Sequence, residues 1–187
     1  MRILFGLTAA AALLLAVRHS SAGASLSVTS GAYVNGGRMP LALSYNANGC
    51  TGDNVSPDLR WSGAPAGTKS FALTLWDPDA PHPGGWWHWV AFDIPARAHG
   101  LPSGAGDPKK SLAPPGTIEG TNDFPLTGYD GPCPPPGDRP HHYVLTLYAL
   151  DVPRVAGARR GTTGPQLQRL VRGHVLARAV LVGRFGR

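Results

Sequence analysis

Ser70-Phe71-Ala72-Leu73-Thr74-Leu75-Trp76-Asp77, a turn from Pro78 to Gly85, and then Trp86-Trp87-His88-Trp89-Val90-Ala91-Phe92-Asp93-Ile94 form the stretch whose reading decides the fold. In the first run Phe71, Leu73 and Leu75 alternate with Ala72, Thr74 and Trp76, so both sides of an extended chain are largely apolar. Such a strand is central in its sheet and covered on both faces. Asp77 falls in phase with Phe71, Leu73 and Leu75, which sets a carboxylate at the strand's end. In the second run a period of two places Trp86, His88, Val90, Phe92 and Ile94 on one face and Trp87, Trp89, Ala91 and Asp93 on the other. The turn Asp77-Pro78-Asp79-Ala80-Pro81, followed by Gly84-Gly85 and the Trp/His cluster, carries more chemistry than a connection requires. It is read as half of a binding site.

The other half lies downstream, where His141-His142-Tyr143-Val144-Leu145-Thr146-Leu147-Tyr148-Ala149-Leu150-Asp151 makes the clearest strand. His141 and Tyr143 share one face with Leu145, Leu147 and Ala149, while His142 falls on the other. Before this strand runs a proline-dense loop, Pro132-Cys133-Pro134-Pro135-Pro136-Gly137. From Gly131 to Gly137 only Gly131, Cys133 and Gly137 have an N–H to donate, so the loop suits a stiff wall better than a phosphate cradle.

Asp77, His88, His141 and Tyr143 thus stand at strand ends beside stiff loops. A carboxylate near two imidazoles favours their charged, doubly donating form, which suits an anion such as phosphate, and the Tyr143 hydroxyl adds a donor. Asp77 then orients a histidine or meets an ammonium group on the ligand. Trp86, in phase with His88, belongs at the rim. Asp79 either joins the site or bonds its own turn backbone. His82, His99, His142 and His174 read as core or surface residues, and Trp61, Trp76, Trp87 and Trp89 as core.

The remainder of the 187 residues fits one mainly β domain: charged residues are 15%, while Gly (25) and Pro (19) are abundant. Ser25 to Val34 and Met39 to Leu43 read as short strands, Ser56 to Trp61 as an extended segment, and Val180 to Phe185 as a strand-like tail. Pro95 to Thr121 reads as a long, partly mobile connection without a site. Gly164-Pro165 opens a helix, with Leu167, Leu170, Val171 and His174 at helical spacing. Asn54-Val55-Ser56 matches a glycosylation sequon but precedes Pro57, and no function is assigned to it.

At the N-terminus Arg2 precedes an apolar run, Ile3 to Val17, and then Ser20, Ser21, Ala22 and Ala24, the pattern of a cleaved secretory signal over residues 1–24. The mature domain, 25–187, is then periplasmic or secreted and has no integral membrane segment. Its charge falls from +6 to about +4 on loss of Arg2 and Arg18. No Lys/Arg run is dense enough for nucleic acid; the tightest pair, Arg159-Arg160, reads as a solvated loop. In an oxidising compartment Cys50 and Cys133 most simply form one disulfide, the alternative being two buried thiols that never meet. Zinc-finger spacing, Gly-x-Ser-x-Gly, His-Glu-x-x-His, dinucleotide and Walker patterns are all absent from the sequence, so no metal, cofactor or catalytic residue is assigned.

Asp77-Pro78-Asp79-Ala80-Pro81, Gly85-Trp86-Trp87-His88-Trp89 and Gly131-Pro132-Cys133-Pro134-Pro135 with His141-x-Tyr143 resemble the phosphatidylethanolamine-binding protein family. The resemblance runs from about Leu41 to Arg187 and is greatest to the bacterial Raf-kinase-inhibitor-like (YbhB/YbcL) subgroup. It implies a large central antiparallel sheet packed on a smaller one, a helix in the C-terminal region, and a small pocket for anions and phospholipid headgroups. By motif position the resemblance assigns the pocket to Asp77, Pro81, His88, Pro135, His141 and Tyr143. Many members carry Arg between that histidine and tyrosine, where this chain has His142. A non-enzymatic receptor for a small anionic ligand or phospholipid headgroup is therefore expected. The alternatives are a protein-interaction module inhibiting a protease or signalling protein, and a weak hydrolase using Asp77 and His88.

Overall fold

The computed structural model describes residues 25–187, and the signal segment read from residues 1–24 lies outside them. In chain order the strands are β1 (Ser27–Thr29), β2 (Leu59–Ser62), β3 (Ser70–Asp77), β4 (Trp86–Pro95), β5 (Gly100–Leu101), β6 (Ile118–Glu119), β7 (His141–Leu150) and β8 (Val175–Phe185), with helix α1 (Gly164–Val171) before β8. They form two antiparallel sheets, ordered β1-β2-β5 and β6-β4-β3-β7-β8. β3 lies in the middle of the larger sheet, as its two apolar faces require. One face meets the smaller sheet: Phe71, Leu73, Leu145 and Leu147 pack with Val28, Leu59, Trp61 and Leu101. The other carries Ala72, Val90, Phe92 and Leu150, which pack against Leu167 and Val171 of α1. No helix among the described residues is long and apolar enough to cross a membrane.

The strict period of two expected for β4 does not hold. Leu75 pairs with Trp89 while Trp76 pairs with Trp87, which leaves His88 as the extra residue of a β-bulge. Further on, Phe71 pairs with Ile94 and Leu73 with Ala91, so a second bulge takes in Phe92 and Asp93, the latter at φ 55°. Each extra residue inverts the phase. Trp89, Ala91 and Ile94 therefore join the inter-sheet core, while Val90 and Phe92 turn to the helix side.

Other segments also depart from expectation. Pro40 cannot donate to a ladder, and Met39 to Leu43 is not a strand: Met39 is fully buried and Leu41–Leu43 form a single 3-10 turn. The early strand shrinks to β1. The Pro95 to Thr121 connection contributes β5 and β6 and buries Leu101 and Ala105, its turns closed by backbone bonds such as Ala105 N–H to the Pro102 carbonyl. β8 begins at Val175 rather than Val180 and pairs along the whole of β7; its inward Ala177 and Ala179 gave little apolar signal. His174 lies beyond α1, where its Nδ1 is 2.9 Å from Asp151 Oδ1.

α1 starts where a side chain is least tolerated. Gly164 lies against the Trp87 indole, and a methyl group there would overlap the ring. Gly164→Ala is expected to lower stability by about 1–3 kcal/mol, seen as a reduced urea midpoint at unchanged slope.

Candidate functional site

In the order β4-β3-β7 with antiparallel neighbours, the exit of β3 lies beside the entries of β4 and β7. That topology brings Asp77, Trp86, His88 and His141 together, and the loops add Pro81 and Pro135. These six residues line a cavity of about 270 Å³. His82, Phe124 and Cys133 line it as well. His82, read as an ordinary core or surface residue, packs edge-on against Trp86 at 5.5 Å. Phe124 meets both Trp86 (5.3 Å) and His88 (5.6 Å). It sits in an aperiodic loop, so no pattern could have marked it.

Asp77 is 2% exposed and fully engaged. Its Oδ1 accepts from the backbone N–H groups of Asp79 (2.8 Å) and Ala80 (3.1 Å), and its Oδ2 meets His141 Nδ1 at 2.8 Å. The carboxylate thus shapes its own turn and aims the imidazole. His141 Nε2 looks the other way, 3.4 Å from Asp138 Oδ2. Asp138 belongs to the proline loop and was not singled out from the sequence.

His88 is held by Asp130. His88 Nδ1 lies 2.7 Å from the Asp130 carbonyl, which can only accept, so Nδ1 carries a proton and Nε2 is free of that bond. The Asp130 N–H returns a bond to the His88 carbonyl at 2.9 Å. Burial pushes the His88 pKa below its ordinary value, against the opposing pull of the Asp130 carbonyl and the Asp77 charge. The charged form expected from the nearby carboxylate is therefore not favoured at His88: loss of hydration outweighs attraction. Asp130 is itself fixed by Asn54 Nδ2 (2.8 Å) and Asn122 Nδ2 (2.7 Å). Burial raises the Asp130 pKa, and these two amides partly offset it. Asn54, set aside in the sequence as part of an idle sequon, is thus a support of the site.

Tyr143 does not line the cavity but lies behind it, fully buried, its ring 5.2 Å from that of His88. Its hydroxyl and the Trp86 Nε1 are buried without a hydrogen-bond partner among the described residues. Burial and then the Asp77 charge raise the Tyr143 pKa far above the ordinary phenol value, so the hydroxyl stays a donor. Gly131 is support rather than lining: its N–H is spent on Asn54 Oδ1 at 2.8 Å. Asp79 also turns away from the cavity. Its Oδ2 takes the His142 backbone N–H (2.8 Å) and ring Nδ1 (2.7 Å), and Arg139 reaches its Oδ1 at 3.2 Å. Burial pushes this carboxyl up, but the His142 bonds outweigh it and hold the pKa below the usual range. Asp79 pins the entry of β7, neither joining the cavity nor bonding its own turn.

Cys50 and Cys133 form a disulfide with Cα atoms 5.8 Å apart. It ties the wall Cys133-Pro134-Pro135 to the loop after the 3-10 turn. Arg187 adds a second tie, donating from Nε to the Pro134 carbonyl at 2.6 Å.

Residues 29–186 match the family described as phosphatidylethanolamine-binding protein. The chain belongs to the phosphatidylethanolamine-binding protein family. Among its relatives, the UPF0098 protein YbcL of Escherichia coli K12 is 43% identical over 139 residues, 74% of this chain and 76% of the relative. The UPF0098 protein YbhB of the same strain is 42% identical over 151 residues, 81% of this chain and 94% of the relative. The crystal structure of E. coli YbcL, described as a new member of the mammalian PEBP family, superposes with a TM-score of 0.84 at 38% identity. It covers 88% of this chain and 99% of that one. The two-sheet fold with its added helix is thus the fold of the family, and the strand-end cavity is this member's candidate site.

Proposed function

We propose that this phosphatidylethanolamine-binding protein family member is an exported, non-enzymatic receptor whose strand-end cavity takes a phosphate-like anion or phospholipid headgroup. The observation that carries it is the orphaned buried donor Trp86 Nε1, on a residue lining a cavity that also holds two tethered imidazoles. An oxygen atom of a bound oxyanion would satisfy it. At about 270 Å³ the cavity suits a headgroup rather than a whole lipid. Its lining offers no Ser or Thr, and Cys133 is in a disulfide, which supports binding over nucleophilic catalysis. The proline wall loses little entropy when a ligand sets against it.

Titrating phosphorylethanolamine while following the histidine side-chain resonances tests this, with saturable shifts expected at His88 and His141. Asp77→Asn is expected to weaken binding at least about tenfold, because His141 loses its charged partner. Absence of any shift at either histidine sinks the proposal. The pH dependence has a definite sign. With Nδ1–H committed and the ring neutral, His88 Nε2 meets the ligand as an acceptor. A ligand oxygen bearing a proton satisfies it, and a phosphate monoester loses that proton around pH 6. Affinity is therefore expected to rise as pH falls from 8 to 6.

A further inference from the structure

Along the chain Arg159-Arg160 is only a solvated pair, and the fold changes that. From Val152 to the C-terminus the chain carries eight arginines and no Asp or Glu. Three of them converge: Arg159 and Arg160 from the loop before α1, and Arg169 from the helix itself. With Gln166 and Thr162 they line a polar cleft of about 390 Å³. Gln166 and Arg169 are three apart on α1 and therefore share a face.

The cleft is built rather than incidental. Gly157 and Gly161 take the left-handed conformation at φ 78° and 92°, which turns the loop back towards α1. Thr162 is 4% exposed, and its Oγ1 accepts from the Arg159 N–H at 2.9 Å. The Thr162 N–H returns to the Arg159 carbonyl, also at 2.9 Å. Gln166 Oε1 accepts from the Thr163 N–H at 3.0 Å, which leaves its amide NH₂ as a donor. No carboxylate pairs with Arg159, Arg160 or Arg169 among the described residues. Glu119 and Asp107 line a neighbouring cavity that Arg160 also borders. Burial pushes Glu119 up to about 8, so near neutral pH it offers Arg160 little negative charge, and Asp107 is in contact with Lys110 at 4.0 Å.

Three guanidiniums and an amide donor lining one cleft, with no acid among the lining residues, suit the chemistry of a phosphate group, which guanidiniums bind through paired N–H donors. We propose that this cleft is a second anion site, taking a phosphate-type oxyanion independently of the strand-end cavity. The two share no lining residue, and the cleft lies on the helix side of the large sheet.

The test is a titration of the protein with pyrophosphate at low salt, followed through backbone amide resonances. Saturable shifts are expected at Gly157, Gly161 and Thr162, with affinity falling at least about tenfold in R159Q/R169Q. All three arginines are solvent-exposed, so the variant keeps its fold, which its melting curve checks. The His88 response to phosphorylethanolamine should be the same in wild type and variant, so the two proposals fail separately. No saturable shift, or an unchanged affinity in R159Q/R169Q, overturns the site. Full affinity in R159K/R169K overturns it too, since only charge attraction would then remain. Sedimentation with phosphatidylglycerol vesicles identifies the source: vesicle binding that pyrophosphate displaces makes it a lipid phosphate, and amide shifts without vesicle binding make it a free one.

Discussion

Replacing Cys50 and Cys133 by serine is expected to lower the unfolding free energy by about 4–5 kcal/mol, the loop entropy regained when a cross-link spanning 83 residues is removed from the unfolded chain. Few single contacts in a chain of this size are worth as much. The same change should weaken phosphorylethanolamine binding, because Cys133 lines the cavity and Pro134 and Pro135 beside it form the wall. Arg187 still holds the Pro134 carbonyl, so the wall should loosen rather than leave. Urea unfolding of the oxidised wild type, the reduced wild type and the double variant measures the first effect; titration of the same three measures the second. A loss below about 1 kcal/mol would show that the unfolded chain is already compact enough to make the cross-link redundant.

Glu119→Gln is expected to make the protein more stable than wild type at alkaline pH, by on the order of 4 kcal/mol. Glu119 is 7% exposed; its Oε2 accepts from Trp89 Nε1 at 2.8 Å, and its Oε1 has no partner among the described residues. Burial raises its pKa from 4.5 to about 8, against the Trp89 bond, which lowers it. The folded state therefore holds a proton that the unfolded chain releases near pH 4.5. Its contribution is fully present below that pH and is lost as pH rises through about 8. Glutamine keeps the acceptor for Trp89 and cannot ionise. Unfolding curves at pH 5 and pH 8.5 should show wild type losing stability that the variant keeps. His88 works in the opposite sense: its folded pKa is depressed, so it costs stability as pH falls below about 6.5. That slope is common to wild type and variant and cancels in their difference. Equal losses in both proteins would mean that Glu119 is ionised in the folded state.

Much of the candidate site is legible in the sequence. Asp77 and His141 were found because β3 and β7 are regular: an even spacing from a buried leucine fixes which way a side chain points. Counting by two sets His88 on one face with Trp86, Val90, Phe92 and Ile94, and that shared face does not hold, because Val90 and Phe92 turn to the helix side while Ile94 joins the inter-sheet core. Nothing in Trp86 to Ile94 marks where an extra residue is absorbed, since a bulge at His88 depends on what Trp76 and Leu75 pair with across the sheet. Asn54, Asn122 and Phe124 went unseen because they reach the site from aperiodic loops, and local spacing carries no information about contacts between distant loops.

By itself the sequence determined the mainly β class, the central place of β3, the face shared by His141 and Tyr143, the start of α1 and the family. Each of these rests on periodicity, turn chemistry or ordered motifs, all of them local along the chain. Only the tertiary structure decided that the cysteines are joined, that His88 loses rather than gains basicity, and that Asp79 holds β7 instead of a ligand. It also decided that Arg169 lines one cleft with Arg159 and Arg160. Those outcomes depend on burial and on partners far away in sequence: hydration removed from an imidazole, or a carboxylate met by a distant N–H, is a property of the folded surroundings and not of the residue.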